Sequence, residues 1–348
     1  MHMADALISP AVGGTLWAAT AFLASYAAKK VQNDMDEQKV PLMGVLGAFV
    51  FASQMINFTI PGTGSSGHIG GVVLLAILLG PHAAFLTIAS ILTVQALFFA
   101  DGGLLALGCN IFNMGFIPCY IAYPFIYKPL VGTTPSQRRI MLGSVIAAVA
   151  GLQLGAFSVV LETLFSGISA LPFSTFVLLM QPIHLAIGLI EGIITAVVIG
   201  FIFQEAPHII QPTALNQPLG PTSIKKVIIV LFVLALITGG ALSWFASSNP
   251  DGLEWSISGI NGEEELQATD EVHGFFAEIQ EKIAFLPDYN FKTTPASHPA
   301  AVEETEATTE AVWPTVDTGT SVAGLVGSLI TLILAYFIGK GLQVAAKR

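Results

Sequence analysis

The chain has 348 residues, of which 53% are hydrophobic and only 10% are charged, where an ordinary soluble domain carries about 25% charged residues. That balance excludes a water-soluble globular protein and points to an integral membrane protein that lies among lipid. The formal net charge of −10 gives no reason to expect a nucleic-acid partner.

Apolar stretches fall at about 11–28, 41–60, 69–80, 83–100, 104–127, 139–165, 173–203, 224–246 and 322–339. A membrane-spanning helix needs roughly 20 apolar residues, so the ambiguous region is Ile69–Ala100, interrupted by Gly80-Pro81-His82. Loop charge resolves it, because cytoplasmic loops hold the excess Lys and Arg. If the region is split, all 11 basic residues outside the 251–317 stretch fall on one side. If it is unsplit, the basic 128–139 loop is stranded outside. The sequence therefore predicts an all-α polytopic membrane protein with about seven spans in a core and two in a C-terminal module, N-terminus outside and C-terminus inside. No basic segment precedes Ala11–Ala28, and Lys29-Lys30 follow it, so a cleaved leader is not expected.

Within that frame the domains are expected at 1–205 for the membrane core, 206–223 for a cytoplasmic linker and 224–348 for the second module. The second module holds a long outer loop, 248–321. Fifteen of the 23 acids lie between Asp251 and Asp317, opposed there only by Lys282 and Lys292. The run TTPASHPAAVEETEATTEAVWP inside it is poor in large apolar residues and reads as a disordered tether. Two cysteines, Cys109 and Cys119, share one apolar stretch and suggest no disulfide framework. Gly151/Gly155 and Gly188/Gly192 have the spacing of small residues that let membrane helices approach closely.

The predicted topology sorts the histidines. His2 and His68 fall on the outer side, His82 and His208 inside, His184 within a span, and His273 and His298 in the acidic loop. An initiator methionine is normally removed only before a small residue, so before His2 it stays, with its amine free. The Met1 amine and the His2 backbone nitrogen close a five-membered ring on a metal, and that nitrogen with His2 Nδ1 closes a six-membered ring. A fourth donor, His68, completes a square plane suited to Ni(II) or Cu(II). These nitrogens bind deprotonated, so binding weakens as pH falls. Taken alone, a histidine at position 2 is more often an exposed surface residue; His68 on the same face gives it weight.

His68 follows IPGTGSSG, which satisfies two glycine spacings of nucleotide-binding loops. Both nucleotide readings fail, since Lys and Ser/Thr are absent where a phosphate loop needs them and a span, not a strand of a soluble βαβ unit, precedes the run. A tight re-entrant turn shielded by protein fits better. Polar residues within spans are costly and usually face a bundle interior. Asn110 and Asn113 share one helix face, as do His184 and Glu191. These four either orient the metal-bound imidazoles and the N-terminal backbone or tie helices together; His184 and Glu191 equally suit a structural pair. For Gln54, Gln95, Gln153 and Gln181 the interhelical reading is preferred. Asp101 either caps the next helix or anchors the N-terminal segment.

Four stretches together carry a resemblance: MHMADALISP, KVPLMGVLGAFVFASQMINFTIPGTGSSGHIGG, LLGPHAAFLTIASILTVQALFFADGGLLALGCNIFNM and HLAIGLIEGIITA. From Met1 to about Phe203 the chain resembles the metal-binding membrane subunit of nickel and cobalt energy-coupling-factor (ECF) transporters, the NikM/CbiM family. The resemblance implies square-planar metal binding by Met1, His2 and His68. The family opening resembles Met-His-Ile-Pro-Asp-Gly; this chain keeps His2 and Asp5 and carries Met3, Ala4 and Ala6. NPDGLEWSI resembles the start of the PDGLE-type small subunit, related in role to NikN/CbiN. Asp251 and Glu254 there suit either the metal-loading mouth or a simple turn. The resemblance further implies Ni2+ or Co2+ as transported substrate, no cofactor, no catalytic activity, and as partners a coupling transmembrane subunit (NikQ/CbiQ-like) and ATP-binding subunits (NikO/CbiO-like). A secondary transporter or channel would show interrupted helices in repeated halves, which are not evident. A hydrolase built on His184 and Glu191 lacks the H-E-x-x-H spacing. A cobalt-specific role is the alternative to nickel.

Overall fold

The computed structural model describes residues 1–34, 37–207, 209–210, 224–264, 266, 270–292 and 314–347. His208, His298, most of the expected 206–223 linker and all of the acidic tether except Pro314 lie outside the described residues.

The chain runs as α1 (Pro10–Asn33), α2 (Lys39–Gln54), β1 (Phe58–Ile60), β2 (Ser65–Gly67), α3 (Val72–Leu79), α4 (Pro81–Phe99), α5 (Leu107–Val131), α6 (Gln137–Ser166), α7 (Phe173–Glu205), α8 (Lys225–Gly240), α9 (Gly252–Asn261), α10 (Glu271–Ile283) and α11 (Thr318–Ala346). Six of these, α1, α4, α5, α6, α7 and α11, are long and apolar enough to cross a membrane. Exposed Phe22, Phe165, Leu178 and Phe337 project from them as a lipid-facing surface does. The molecule is a multi-pass membrane protein.

The expected number of spans is corrected. The nine apolar stretches do not yield nine full-length spans among the described residues: α2 and α8 have 16 residues each and α3 only 8, so at 1.5 Å per residue α3 is about 12 Å long and cannot cross alone. Among the described residues the fold is all-α as expected, apart from one short two-stranded element. The glycine-rich run forms an antiparallel hairpin, Phe58 opposite Gly67 and Ile60 opposite Ser65, turning through Gly62 and Gly64 at φ of 78° and 74°, a conformation open to glycine at little cost. The expected turn buries its second strand while Thr59, Pro61, Gly62 and Gly64 are exposed; α3 is fully buried, so protein rather than lipid surrounds its backbone.

The expected break at Gly80 is present: its φ of 83° ends α3, and Pro81 opens α4 at a position where a missing N–H costs nothing. His82, at the start of α4, meets Tyr26 near the end of α1, ring centroids 5.5 Å apart. Lys347, at the other end of α11 from the acidic loop, pairs with Glu37 at 2.6 Å. At the opposite end of the bundle His2, Asp101 and Asp251 meet. Thus α1 and α4 run antiparallel, as splitting Ile69–Ala100 requires.

Close helix contacts fall where small residues permit them. A Cβ on Gly192 would lie 2.6 Å from Val145 Cα, which shows how tightly α7 presses on α6. Gly151 and Gly155 instead face α5, whose central turns, Phe112–Tyr127, are π-wound around Pro118 and Pro124. The C-terminal module seats α11 on α2 and α4, with Gly327 against Phe51 and Phe99.

Candidate metal centre

The first nine residues form an arm that folds into the bundle. Met3 is fully buried, and its backbone is read like a strand by Asn110: the Met3 N–H donates to Asn110 Oδ1 at 2.8 Å and Asn110 Nδ2 donates back to Met3 O at 3.1 Å. Asp5 then accepts from the Ala106 N–H at 2.9 Å, satisfying one of the orphan donors where the next helix begins. Capping there belongs to Asp5, in trans, and not to Asp101. Asp101 anchors the arm instead, with Oδ1 3.3 Å from His2 Nδ1 while Oδ2 accepts from the Tyr289 hydroxyl.

The arm delivers the Met1 amine and His2 to His68. The His2 and His68 rings stack with centroids 5.2 Å apart and planes 24° from parallel. Around them the structure builds a chain of polar contacts. Gln95 Oε1 lies 3.2 Å from His2 Nε2, Gln95 donates to Gln54 at 2.9 Å, and Gln54 donates to Gly70 O at 2.8 Å. Interhelical tying describes Gln153 and Gln181, which exchange bonds with each other's backbone across α6 and α7, and equally Gln54 and Gln95, bonded across α2 and α4; Gln95 in addition reaches His2.

His184 and Glu191 do not pair with each other. Glu191 accepts from the Gly70 and Gly71 N–H groups at 2.7 and 3.2 Å, fixing the loop that carries His68, and His184 Nδ1 lies 2.8 Å from Met180 O on its own helix. Asn113 donates to Glu162 at 2.7 Å. Glu162 escaped the sequence reading, although an acid inside a span is itself a signal of a buried partner.

The C-terminal module closes the site from outside. Asp251 begins α9 with a capping box, accepting from the Leu253 and Glu254 N–H groups while Glu254 accepts from Asp251 N–H. Its other oxygen binds the Met1 ammonium at 2.9 Å. Asp251 thus caps α9 and holds the Met1 amine at the same time. His273 on α10 takes no part in a cation site of its own: Nδ1 contacts Asp270 at 2.5 Å, and Nε2 faces the Asp5 and Ile8 carbonyls at 3.0 and 2.9 Å. Through Nε2 this ring clasps the arm at two carbonyls.

Burial first, then the nearby Met1 ammonium and His2, push the His68 imidazole down to about 4. Burial likewise lowers His2 below 6.5, opposed by Asp101. Burial alone would raise Asp251, but the ammonium and the α9 N–H groups outweigh it and hold the carboxylate ionised. Both imidazoles are thus neutral near pH 7, the form in which they serve as ligands. Among the described residues no group of three or more His, Cys, Asp or Glu side chains is placed to hold a metal; a site here needs main-chain nitrogens beside the two imidazoles.

Gly103 tests how closely the arm must dock. A Cβ there would lie 1.8 Å from Asp5 Oδ1, so Gly103→Ala must displace the Asp5 cap. About 1 to 3 kcal/mol of overpacking predicts that the variant folds but exposes its N-terminus, seen as faster chemical labelling of the Met1 amine than in the parent.

Six long apolar helices around a buried amine-terminated arm define a polytopic membrane protein. The family model for the cobalt uptake substrate-specific transmembrane region matches residues 2–209, and that of the PDGLE domain matches residues 225–344. The chain belongs to the CbiM/NikM family of nickel and cobalt ECF-transporter substrate subunits, fused to a PDGLE domain, a family of transporters and not of enzymes. It is 34% identical over 223 residues, 64% of this chain and 98% of the relative, to a putative metal transport protein of Haloquadratum walsbyi. It is 29% identical over 345 residues, 99% of this chain and 100% of the relative, to a putative fused nickel transport protein NikMN of Archaeoglobus fulgidus. A crystal structure of a truncated transition metal transporter superposes with a TM-score of 0.53 at 31% identity, covering 59% of this chain and 99% of that one.

Proposed function

We propose that this protein is the substrate-capturing subunit of an ATP-driven importer of Ni2+, with the Met1 amine, the His2 backbone nitrogen, His2 Nδ1 and His68 as the four metal donors. The observation that carries this reading is the burial of a free amine beside two neutral imidazoles whose rings stack 5.2 Å apart. Capture requires the amine to exchange Asp251 for the metal and the His2 ring to turn Nδ1 away from Asp101. Asp5, Asp101, Asn110 and Asn113 hold the arm, and Glu191 holds the His68 loop. Nickel is favoured over cobalt because a square plane of nitrogens suits Ni(II), and because a relative aligned along nearly the whole chain is a putative fused nickel transport protein. Uptake competition between labelled Ni2+ and Co2+ in one strain separates the two ions.

In the same proposal the arm, the hairpin and the acidic module face outward, the basic ends of the helices face the cytoplasm, and nine passes arise with α2, α3 and α8 as the short ones. Residues 1–205 form the metal-binding core, 206–223 the linker and 224–348 the PDGLE module. The partners are a coupling transmembrane subunit and ATP-binding subunits, since the glycine run of this chain lacks the residues of a phosphate loop.

The reading is tested by metal uptake in cells expressing the whole complex with His2→Ala or His68→Ala; undiminished uptake in both would overturn it. A second expectation concerns pH. With His2 and His68 already neutral, for the reasons given above, capture releases two protons, from the amine and from the His2 backbone N–H. Lowering pH adds protons that compete, so affinity falls by about a hundredfold per pH unit between 7 and 6. Towards pH 4 His68 takes up its own proton and steepens the slope further. Equilibrium dialysis across that range measures it, and a slope near tenfold would exclude the backbone nitrogen as a donor.

A further inference from the structure

The proposed capture donors form a partition between two cavities. Outside it, an aqueous chamber of about 550 Å3 is bounded by His2, His68, Asp101, Asp251 and Glu254. Behind it, deeper in the bundle, a cavity of about 30 Å3 is bounded by Met1, His68, Asn113, His184 and Glu191. That space suffices for one or two waters or an ion.

Two buried acceptors of the inner cavity have no partner among the described residues, His184 Nε2 and Asn113 Oδ1. Their neighbours fix what they offer. His184 is 1% exposed, and its Nδ1 faces the Met180 carbonyl at 2.8 Å; a carbonyl only accepts, so Nδ1 carries the hydrogen and Nε2 presents a lone pair. An Nδ1–H bonded to a backbone carbonyl, with Nε2 bare, is the tautomer a metal-binding histidine adopts. Asn113 donates Nδ2 to Glu162, so its carbonyl oxygen is the atom left over. An orphaned buried acceptor is costly, so two lining one cavity favour an occupant that is electron-poor. Glu191 adds carboxyl oxygens to the wall, and its two N–H contacts leave it lone pairs to spare. His184 lies eleven residues into α7, which begins at Phe173, or about 16 Å along it, near the middle of a hydrocarbon layer of roughly 30 Å.

We infer that this inner cavity is a second divalent-metal station, which takes Ni2+ or Co2+ through His184 Nε2 and Asn113 Oδ1 as the ion leaves the Met1–His2–His68 site inward. The inference rests on the capture reading for the order of the two stations. With only two neutral protein donors, the inner station binds weakly and keeps water on the ion, as a transit site requires.

Equilibrium dialysis of the full chain with labelled Ni2+ and Co2+ tests it. The parent binds a tight ion and a second one at least a hundredfold weaker. His184→Ala keeps the tight ion and loses the weak one, while His68→Ala loses the tight ion and keeps the weak one. Equal residual binding in His68→Ala and His68→Ala/His184→Ala overturns the inner station and leaves an ordered water as its occupant. If His68→Ala retains the tight ion, the capture reading falls, while loss of the weak ion in His184→Ala still upholds the station. Should His184→Ala fold poorly, His68→Ala/His184→Cys with Co2+ or Cd2+ replaces it: a thiolate-to-metal charge-transfer band supports the station, and its absence overturns it.

Discussion

His2→Ala lowers Ni2+ affinity about a thousandfold, or about 4 kcal/mol, whereas inserting one alanine between Met1 and His2 leaves binding tight but frees it from His68. The contrast follows from counting nitrogens. A two-residue hook supplies an amine, one backbone nitrogen and one imidazole, and the open corner of the square must come from the protein body. Without the imidazole one corner is empty and the second chelate ring is lost, and the Met1 amine returns to Asp251, 2.9 Å away. With an inserted residue the hook gains a second backbone nitrogen and fills the square by itself. Capture is then uncoupled from the bundle: His68→Ala, severe in the parent, changes the inserted variant's affinity less than twofold, while uptake by the whole complex is lost. Dialysis and uptake on the same five proteins measure both effects. Continued dependence on His68 after insertion would place that histidine outside the metal's coordination.

Much of this architecture was legible because it follows from simple constraints. The break at Gly80-Pro81, the antiparallel course of α1 and α4 and the gathering of His2 with His68 at one end all follow from the positions of basic residues and apolar runs. Lengths were not legible. A run such as Ile69–Gly80 is apolar because protein surrounds it, and the same composition serves a buried eight-residue helix and a lipid-facing span. Partner choice was the other blind spot. Periodicity places His184 and Glu191 on one face, but the carboxylate goes to the Gly70 and Gly71 N–H groups of a loop from another part of the chain. Nothing in local spacing announces a bond across 120 residues. The same holds for Asp251 and the Met1 amine, which are 250 residues apart and which join the two modules at the site.

Glu191→Ala is the second severe change. It leaves two buried backbone N–H groups without an acceptor, each costing about 2 kcal/mol. The loop escapes that cost by moving, and His68 moves with it. Ni2+ affinity in the parent background then falls by up to about a thousandfold, the equivalent of about 4 kcal/mol. Glu191→Gln retains an oxygen for one N–H but turns an amide NH2 towards the other, so it recovers about half of that free energy. General damage to the bundle would give a similar ranking, and the inserted-alanine background separates the two causes. There the metal no longer needs His68, so Glu191→Ala changes affinity less than twofold if the carboxylate acts by placing that histidine. An equal loss in both backgrounds, read by the same dialysis, would assign Glu191 to the stability of the bundle alone.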